Sequence, residues 1–158
     1  MDKSLPLTRE KFNELTEKLK YDETVRRTEV SDAIKYAKEF GDLSENAEYS
    51  AAKDAQEKLE IEIAQLSGIL SKAYPIDVNI LDTKTVNIGN VVTIFDSYFD
   101  EEVTYRLVSS IEANSAENKI SDQSPIGMSI VGRKKGETVK VTLPTGAVTE
   151  LKILNISK

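Results

Sequence analysis

The chain has 158 residues, 39% of them hydrophobic and 30% charged, and carries a net charge of −6 from 21 basic and 27 acidic residues. It contains neither cysteine nor histidine, which excludes thiolate–imidazole zinc sites, thiol nucleophiles, disulfide scaffolds and serine–histidine triads. Any metal site must use oxygen donors, which suit magnesium, calcium or manganese. A globally acidic chain is also a poor sequence-independent binder of nucleic acid unless its cations cluster.

No stretch approaches the roughly 20 consecutive apolar residues of a membrane span. Met1–Glu10 mixes charges with leucine and has no apolar core of the kind a secretory signal needs. A cytoplasmic protein with no membrane partner is expected.

The first long element is a helix over Thr8–Phe40. The stretch to Ser71 has no proline and is rich in Glu, Lys, Ala and Leu, the good helix formers. Thr8 can cap its start. An apolar seam begins at Phe12, Leu15 and Leu19, weakens around Asp22 and Arg26, and resumes with Val30, Ala33, Ile34, Ala37 and Phe40. Arg26 and Arg27 can pair across to Asp54, Glu57 or Glu60 of the next helix. Gly41 stands where a helix-ending glycine belongs.

A second helix is predicted over Ser44–Ser71. Tyr49, Ala52, Gln56, Leu59, Ile63, Leu66 and Leu70 follow each other at alternating steps of three and four, which is a heptad seam. Two helices joined by a short turn run antiparallel. The product is a coiled-coil hairpin over residues 1–75, with arms of about 33 residues that reach roughly 50 Å. The turn around Gly41–Asn46 is then a tip projecting from a compact domain.

Pro75 ends the helical pattern. Val86–Ile94 reads as strand, turn and strand, and Val103–Val108 alternates with period two. Val139–Leu143 and Ala147–Leu154 flank Pro144-Thr145-Gly146, a hairpin signature. Ser124 and Pro125 open a short helix as N-cap and first residue, closed by Gly132. The fold class is α+β: a helical hairpin, then a small antiparallel sheet domain with a short helix over residues 80–158.

The tip carries the candidate chemistry. Asp42 and Glu45 are three apart, so a helix starting there puts both carboxylates on one side of its first turn. Such a pair can share a divalent cation, yet two protein residues are too few for a tight Mg²⁺ site. The same spacing is a capping box, with Asp42 as N-cap and Glu45 reaching back. The two readings are compatible.

Gly41-Asp42-Leu43-Ser44-Glu45-Asn46-Ala47-Glu48-Tyr49 resembles the hairpin-tip pattern G-D-x-x-E-N-x-x-Y of the bacterial Gre transcript-cleavage factors. The resemblance continues through Arg26–Val30, Ala51–Lys53, Ser124–Gly127 and Pro144–Gly146, and covers nearly the whole chain. It implies a monomer that binds the secondary-channel rim of bacterial RNA polymerase. The tip would then reach the active centre and stimulate the polymerase to cleave its own backtracked nascent RNA. The chain would be a cleavage cofactor and not an enzyme. Asp42 and Glu45 would hold Mg²⁺ jointly with the polymerase and help position water. Gly41, Asn46 and Tyr49 would shape the tip, and Lys53 would guide the RNA 3′ segment. Ser124, Pro125 and Ile126 would grip the polymerase. The C-terminal domain would be similar to FK506-binding proteins, serving to dock and not to isomerise proline. Two alternatives stand beside this: a Gre-like inhibitor that binds polymerase without stimulating cleavage, and a structural coiled-coil adaptor. An inhibitor is expected to depart from Asp-x-x-Glu, and an adaptor has no need of two acids at an isolated turn.

Overall fold

The computed structural model describes residues 3–41 and 46–158. Two compact units emerge, one from Met1–Lys3 with Phe12–Ala73 and one from Ser4–Lys11 with Tyr74–Lys158.

The first unit is a helical hairpin. Its outgoing arm comprises α1 (Arg9–Tyr21), a π-helical turn at Asp22–Arg26, and α2 (Arg27–Lys38). The returning arm is α3 (Ala47–Lys72). The helical residue types and the heptad seam explain both arms. Ala52, Leu59, Ile63 and Leu66 of α3 are buried, as are Ile34 and Ala37 of α2.

The π turn corrects one detail of the sequence reading. After Leu19, Asp22 and Arg26, a fixed heptad next points residues 29 and 33 inward. The residues that turn inward are instead Val30 and Ile34, one position later. The wide turn holds the extra residue, with the Arg27 N–H reaching back to the Asp22 carbonyl. Ala33 and Phe40, expected in the seam, therefore lie exposed.

The weak point of the seam is a buried charge. The Asp22 side chain is 1% exposed and accepts from Lys18 Nζ at 2.9 Å and Arg26 Nη1 at 3.3 Å. Arg26 Nη1 also reaches Glu62 at 2.8 Å, and Arg27 grips Glu60 with two bonds of 2.9 Å. The expected Arg27–Glu60 pair is thus present, while Arg26 takes Asp22 and Glu62. The hydrogen bond from Lys18 is the main reason the Asp22 carboxyl sits below its ordinary value of 3.8; burial opposes it. Glu60 and Glu62 lie below 4.5, chiefly through hydrogen bonds from Arg27 and Arg26.

These directions set an acid response. All three groups bind protons more weakly in the folded state, so their contribution is present above the ordinary carboxylate range. It is lost as pH falls below about 4.5 towards the depressed folded values. Asp22→Asn should cost roughly 1–3 kcal/mol and flatten the fall in melting temperature between about pH 6 and pH 3. Thermal unfolding across that range checks both, and an unchanged slope would remove Asp22 from the account.

The second unit is a five-stranded sheet with a short helix. Its strands are β3 (Val91–Asp96), β4 (Glu101–Val108), β5 (Lys119–Ser121), β6 (Thr138–Thr142) and β7 (Val148–Ser157), in the order β5-β4-β3-β7-β6. Alternation decides the faces: Val139 and Val141 of β6, and Leu151 and Ile153 of β7, all turn inward. With Val92, Ile94, Leu107 and Ile130 they form the core. Gly146, at φ +87, closes the predicted β6–β7 hairpin. Leu5–Leu7 (β1) and Ala73–Pro75 (β2) make a separate two-stranded sheet that periodicity did not reveal.

Two strand expectations need correction. Within the five-stranded sheet, pairing is antiparallel except for β4 with β5, which run parallel. The chain crosses back through Ser109–Asn118 before β5, and so enters it in the direction of β4. Val86–Ile88 is not a strand. Val86 is fully buried, but its N–H donates to the Arg133 carbonyl and its own carbonyl accepts from Gly132. The Asn87 N–H is taken by the buried Asn90 side chain. With those backbone groups occupied by loops, no ladder forms.

Candidate functional site

Helix ends define the connection between α2 and α3. Their orphan backbone groups need partners. At the end of α2, Glu39, Phe40 and Gly41 donate to Tyr36, Ala37 and Lys38 at 3.2 Å each. This tightened turn ends at exposed Gly41, whose φ of +92 suits only a residue without Cβ. The α2 C-cap is Glu39, so Gly41 stands one position beyond where the sequence placed it.

Asn46 serves both helices. Its Oδ1 accepts from the Tyr49 amide at 3.0 Å, capping α3, and its Nδ2 donates to the Ala37 carbonyl of α2 at 2.6 Å. One side chain thereby satisfies a donor at one helix start and an acceptor at the other helix end. The Tyr49 ring is half-buried, near the end of the seam. Lys53 is exposed and donates to Gln56 at 3.0 Å.

This overturns the capping-box reading. The N-cap of α3 is Asn46, not the Asp42 that the sequence suggested, and the helix begins at Ala47. Asp42 and Glu45 themselves lie outside the described residues. Asn46→Ala removes both bonds and should cost about 1–2 kcal/mol locally. Hydrogen exchange at the Tyr49 and Ser50 amides should accelerate roughly tenfold, with Asn46→Asp intermediate because it keeps only the acceptor. Equal exchange in all three proteins would deny the staple.

The second candidate region is α4 (Pro125–Ile130), which packs against β5 and β6. Ser124 caps it, accepting from the Gly127 amide at 3.1 Å and donating to the Ser121 carbonyl at 2.6 Å. The approach is close enough that a Cβ on Gly127 would sit 1.9 Å from the Ser121 oxygen. Pro125 is exposed and Ile126 half-buried against the core. Met128, which the sequence reading passed over, is 62% exposed on the same helix.

Two family models cover almost the whole sequence. "Transcription elongation factor, N-terminal" matches residues 5–74, and "Transcription elongation factor, GreA/GreB, C-term" matches residues 81–158. The chain belongs to the GreA/GreB family. Transcription elongation factor GreA of Caldanaerobacter subterraneus subsp. tengcongensis is 46% identical over 158 residues, covering both chains completely. The GreA of Acetivibrio thermocellus is 43% identical over 157 residues, 99% of this chain and 98% of that one. Among solved structures, GreA factor homolog 1 of Thermus thermophilus matches at 26% identity and a TM-score of 0.44, covering 98% of this chain and 99% of that one.

Within the GreA/GreB frame the predicted residues fall into two groups. Gly41, Asn46 and Tyr49 gather where α2 meets α3, and Lys53 follows one turn on. Ser124, Pro125 and Ile126 share the start of α4 in the sheet unit. Sequence reasoning did not find the double role of Asn46. Its signal was a residue of high N-cap preference just before the heptad seam. Among the described residues no helix is long and apolar enough to cross a membrane.

Proposed function

We propose that this GreA/GreB family member binds bacterial RNA polymerase and stimulates cleavage of backtracked nascent RNA, completing the polymerase's active site without catalysing the reaction alone. The carrying observation is full-length family membership with Gly41-Asp42-x-x-Glu45-Asn46-x-x-Tyr49 kept at the junction of two paired helices. Retention of both acids favours cleavage stimulation over the inhibitor reading. Membership of an elongation-factor family favours it over a structural adaptor.

Each residue then has a task. Asp42 and Glu45 supply carboxylate oxygens and no nitrogen or sulfur, a donor set that fits a hard cation. Mg²⁺ held there jointly with the polymerase would supply charge stabilisation and water activation for phosphodiester hydrolysis. The two acids leave the rest of the coordination shell to the partner. Gly41, Asn46 and Tyr49 fix the ends of the connection that carries them. Lys53 offers an ammonium to an RNA phosphate. Ser124, Pro125 and Ile126 present the docking surface, and one copy acts on one polymerase.

The test is RNA cleavage in stalled bacterial elongation complexes, with and without the chain. Added protein should shorten the transcript and restore extension. Pro125→Asp or Ile126→Asp should weaken polymerase binding; full competition by both variants would move the docking surface elsewhere. Polymerase binding without cleavage would favour the inhibitor reading.

A further inference from the structure

The β3–β4 connection carries two aromatic side chains in the open. Tyr98 is 58% exposed and Phe99 57%. Their rings meet edge to face with centroids 4.9 Å apart. Val148, 57% exposed, begins β7 at the same end of the sheet, because β7 leads on to pair Leu151 with Asp96.

This turn is built to hold its shape. Asp96, 7% exposed, accepts from the Thr149 hydroxyl and from the Tyr98 amide at 3.0 Å. The Tyr98 amide also reaches Thr149 Oγ1 at 3.2 Å. Ser97 exchanges two bonds with Glu150, its amide donating to the Glu150 carbonyl at 3.0 Å and its hydroxyl accepting from the Glu150 amide at 3.1 Å. Asp100 takes a left-handed φ of 52. Rigid aromatic side chains lose little entropy on binding, which is what an anchor requires.

The surroundings fix the partner's chemistry. Asp100, Glu101 and Glu102 follow in sequence and all are exposed, with exposed Glu150 across β3 from them on β7. The nearby cations are Lys140, 4.0 Å from Glu150, and exposed Lys152, which shares its register row with Phe95 and Glu102. An apolar centre whose exposed acids, Asp100, Glu101, Glu102 and Glu150, outnumber Lys140 and Lys152 disfavours nucleic acid and complements a protein surface with an apolar recess and a basic rim.

We infer that Tyr98 and Phe99 anchor a second contact with the polymerase, on a basic protein surface, separate from the contact made by α4. This rests on the function proposed above. The separation follows from topology. The turn precedes Glu101 at the start of β4, whereas Ser121, which leads into α4, pairs with Val108 at its end. Seven strand steps put the two about 23 Å apart.

The experiment measures binding of the full chain to bacterial RNA polymerase by competition at several salt concentrations. Tyr98→Ser with Phe99→Ser should weaken binding about tenfold or more. Glu101→Lys with Glu102→Lys should weaken it and reduce its salt dependence. A photoreactive residue in place of Phe99 should crosslink to polymerase next to Lys or Arg side chains. Parent-like affinity of both double variants overturns the inference while leaving the function intact. A parent chain that fails to bind polymerase overturns both. Sedimentation showing a dimer that Tyr98→Ser with Phe99→Ser dissolves would reassign the surface to a second copy and also overturn it.

Discussion

Asp42→Ala and Glu45→Ala proteins should lose cleavage stimulation by at least roughly 100-fold while binding polymerase within about twofold of the parent. Removing a group that merely supports a metal ligand already costs about 10- to 100-fold, so loss of a ligand oxygen should cost more. Docking should survive, because the proposed docking residues Ser124, Pro125 and Ile126 lie in the other unit. Folding should survive too, because Asn46 and not Asp42 caps α3. That leaves Asp42→Asn as a probe of charge alone. It keeps the size of the side chain, removes the anion and touches neither bond made by Asn46. Under the proposed role it should be impaired at limiting Mg²⁺ and partly rescued as Mg²⁺ rises, by mass action. An Asp42→Asn protein that supports parent-rate cleavage at limiting Mg²⁺ would remove the metal assignment.

Gly127→Ala should be the most damaging single-methyl change in the sheet unit. The added carbon would sit 1.9 Å from the Ser121 carbonyl oxygen and 2.9 Å from Ser124 Oγ. Backbone cannot yield as a flexible side-chain end can, so α4 must lift away from β5. The shift breaks the Ser124 bonds that seat the helix and strains the burial of Ile130. Overpacking alone costs about 1–3 kcal/mol, and two lost hydrogen bonds add roughly 1 kcal/mol each. Melting of this unit should fall by roughly 12–40 °C, with weaker polymerase binding because Pro125 and Ile126 ride on the same helix. Gly132→Ala is the control. Gly132 has open space around its Cα and a φ of +78, so only backbone strain of about 1 kcal/mol applies. Equal melting of the two variants would show that α4 can move without cost.

Much of this architecture was legible from residue pattern, because the elements concerned are set by local chemistry. The heptad seam Ala52, Leu59, Ile63 and Leu66 needs only a partner stripe to become buried. The start of α1 at Thr8, the Ser124-Pro125 opening of α4 and the glycine-closed β6–β7 hairpin each depend on a few neighbouring residues. The candidate acids were legible as chemistry, through residue type and the resemblance of the motif, and not as geometry.

What the sequence determined by itself was therefore the class of each element, the helical hairpin followed by a sheet with a short helix, and an oxygen-only set of candidate ligands. Tertiary structure decided wherever one residue had to choose between distant partners. The phase of the outgoing arm turned on a π turn whose buried Asp22 is held between Lys18 and Arg26, with Arg26 in turn bound to Glu62. Val86 read as strand but gave its backbone to Gly132 and Arg133. β5 took a parallel register because the crossover before it set its direction. Asn46 became the cap because Ala37, nine residues earlier, offered a carbonyl that only the folded hairpin brings within 2.6 Å. Local propensity is worth a few tenths of a kcal/mol per residue, whereas leaving a buried polar group without a partner costs about 1–3 kcal/mol. Where the two compete, the partner wins, and the partner is found only in three dimensions.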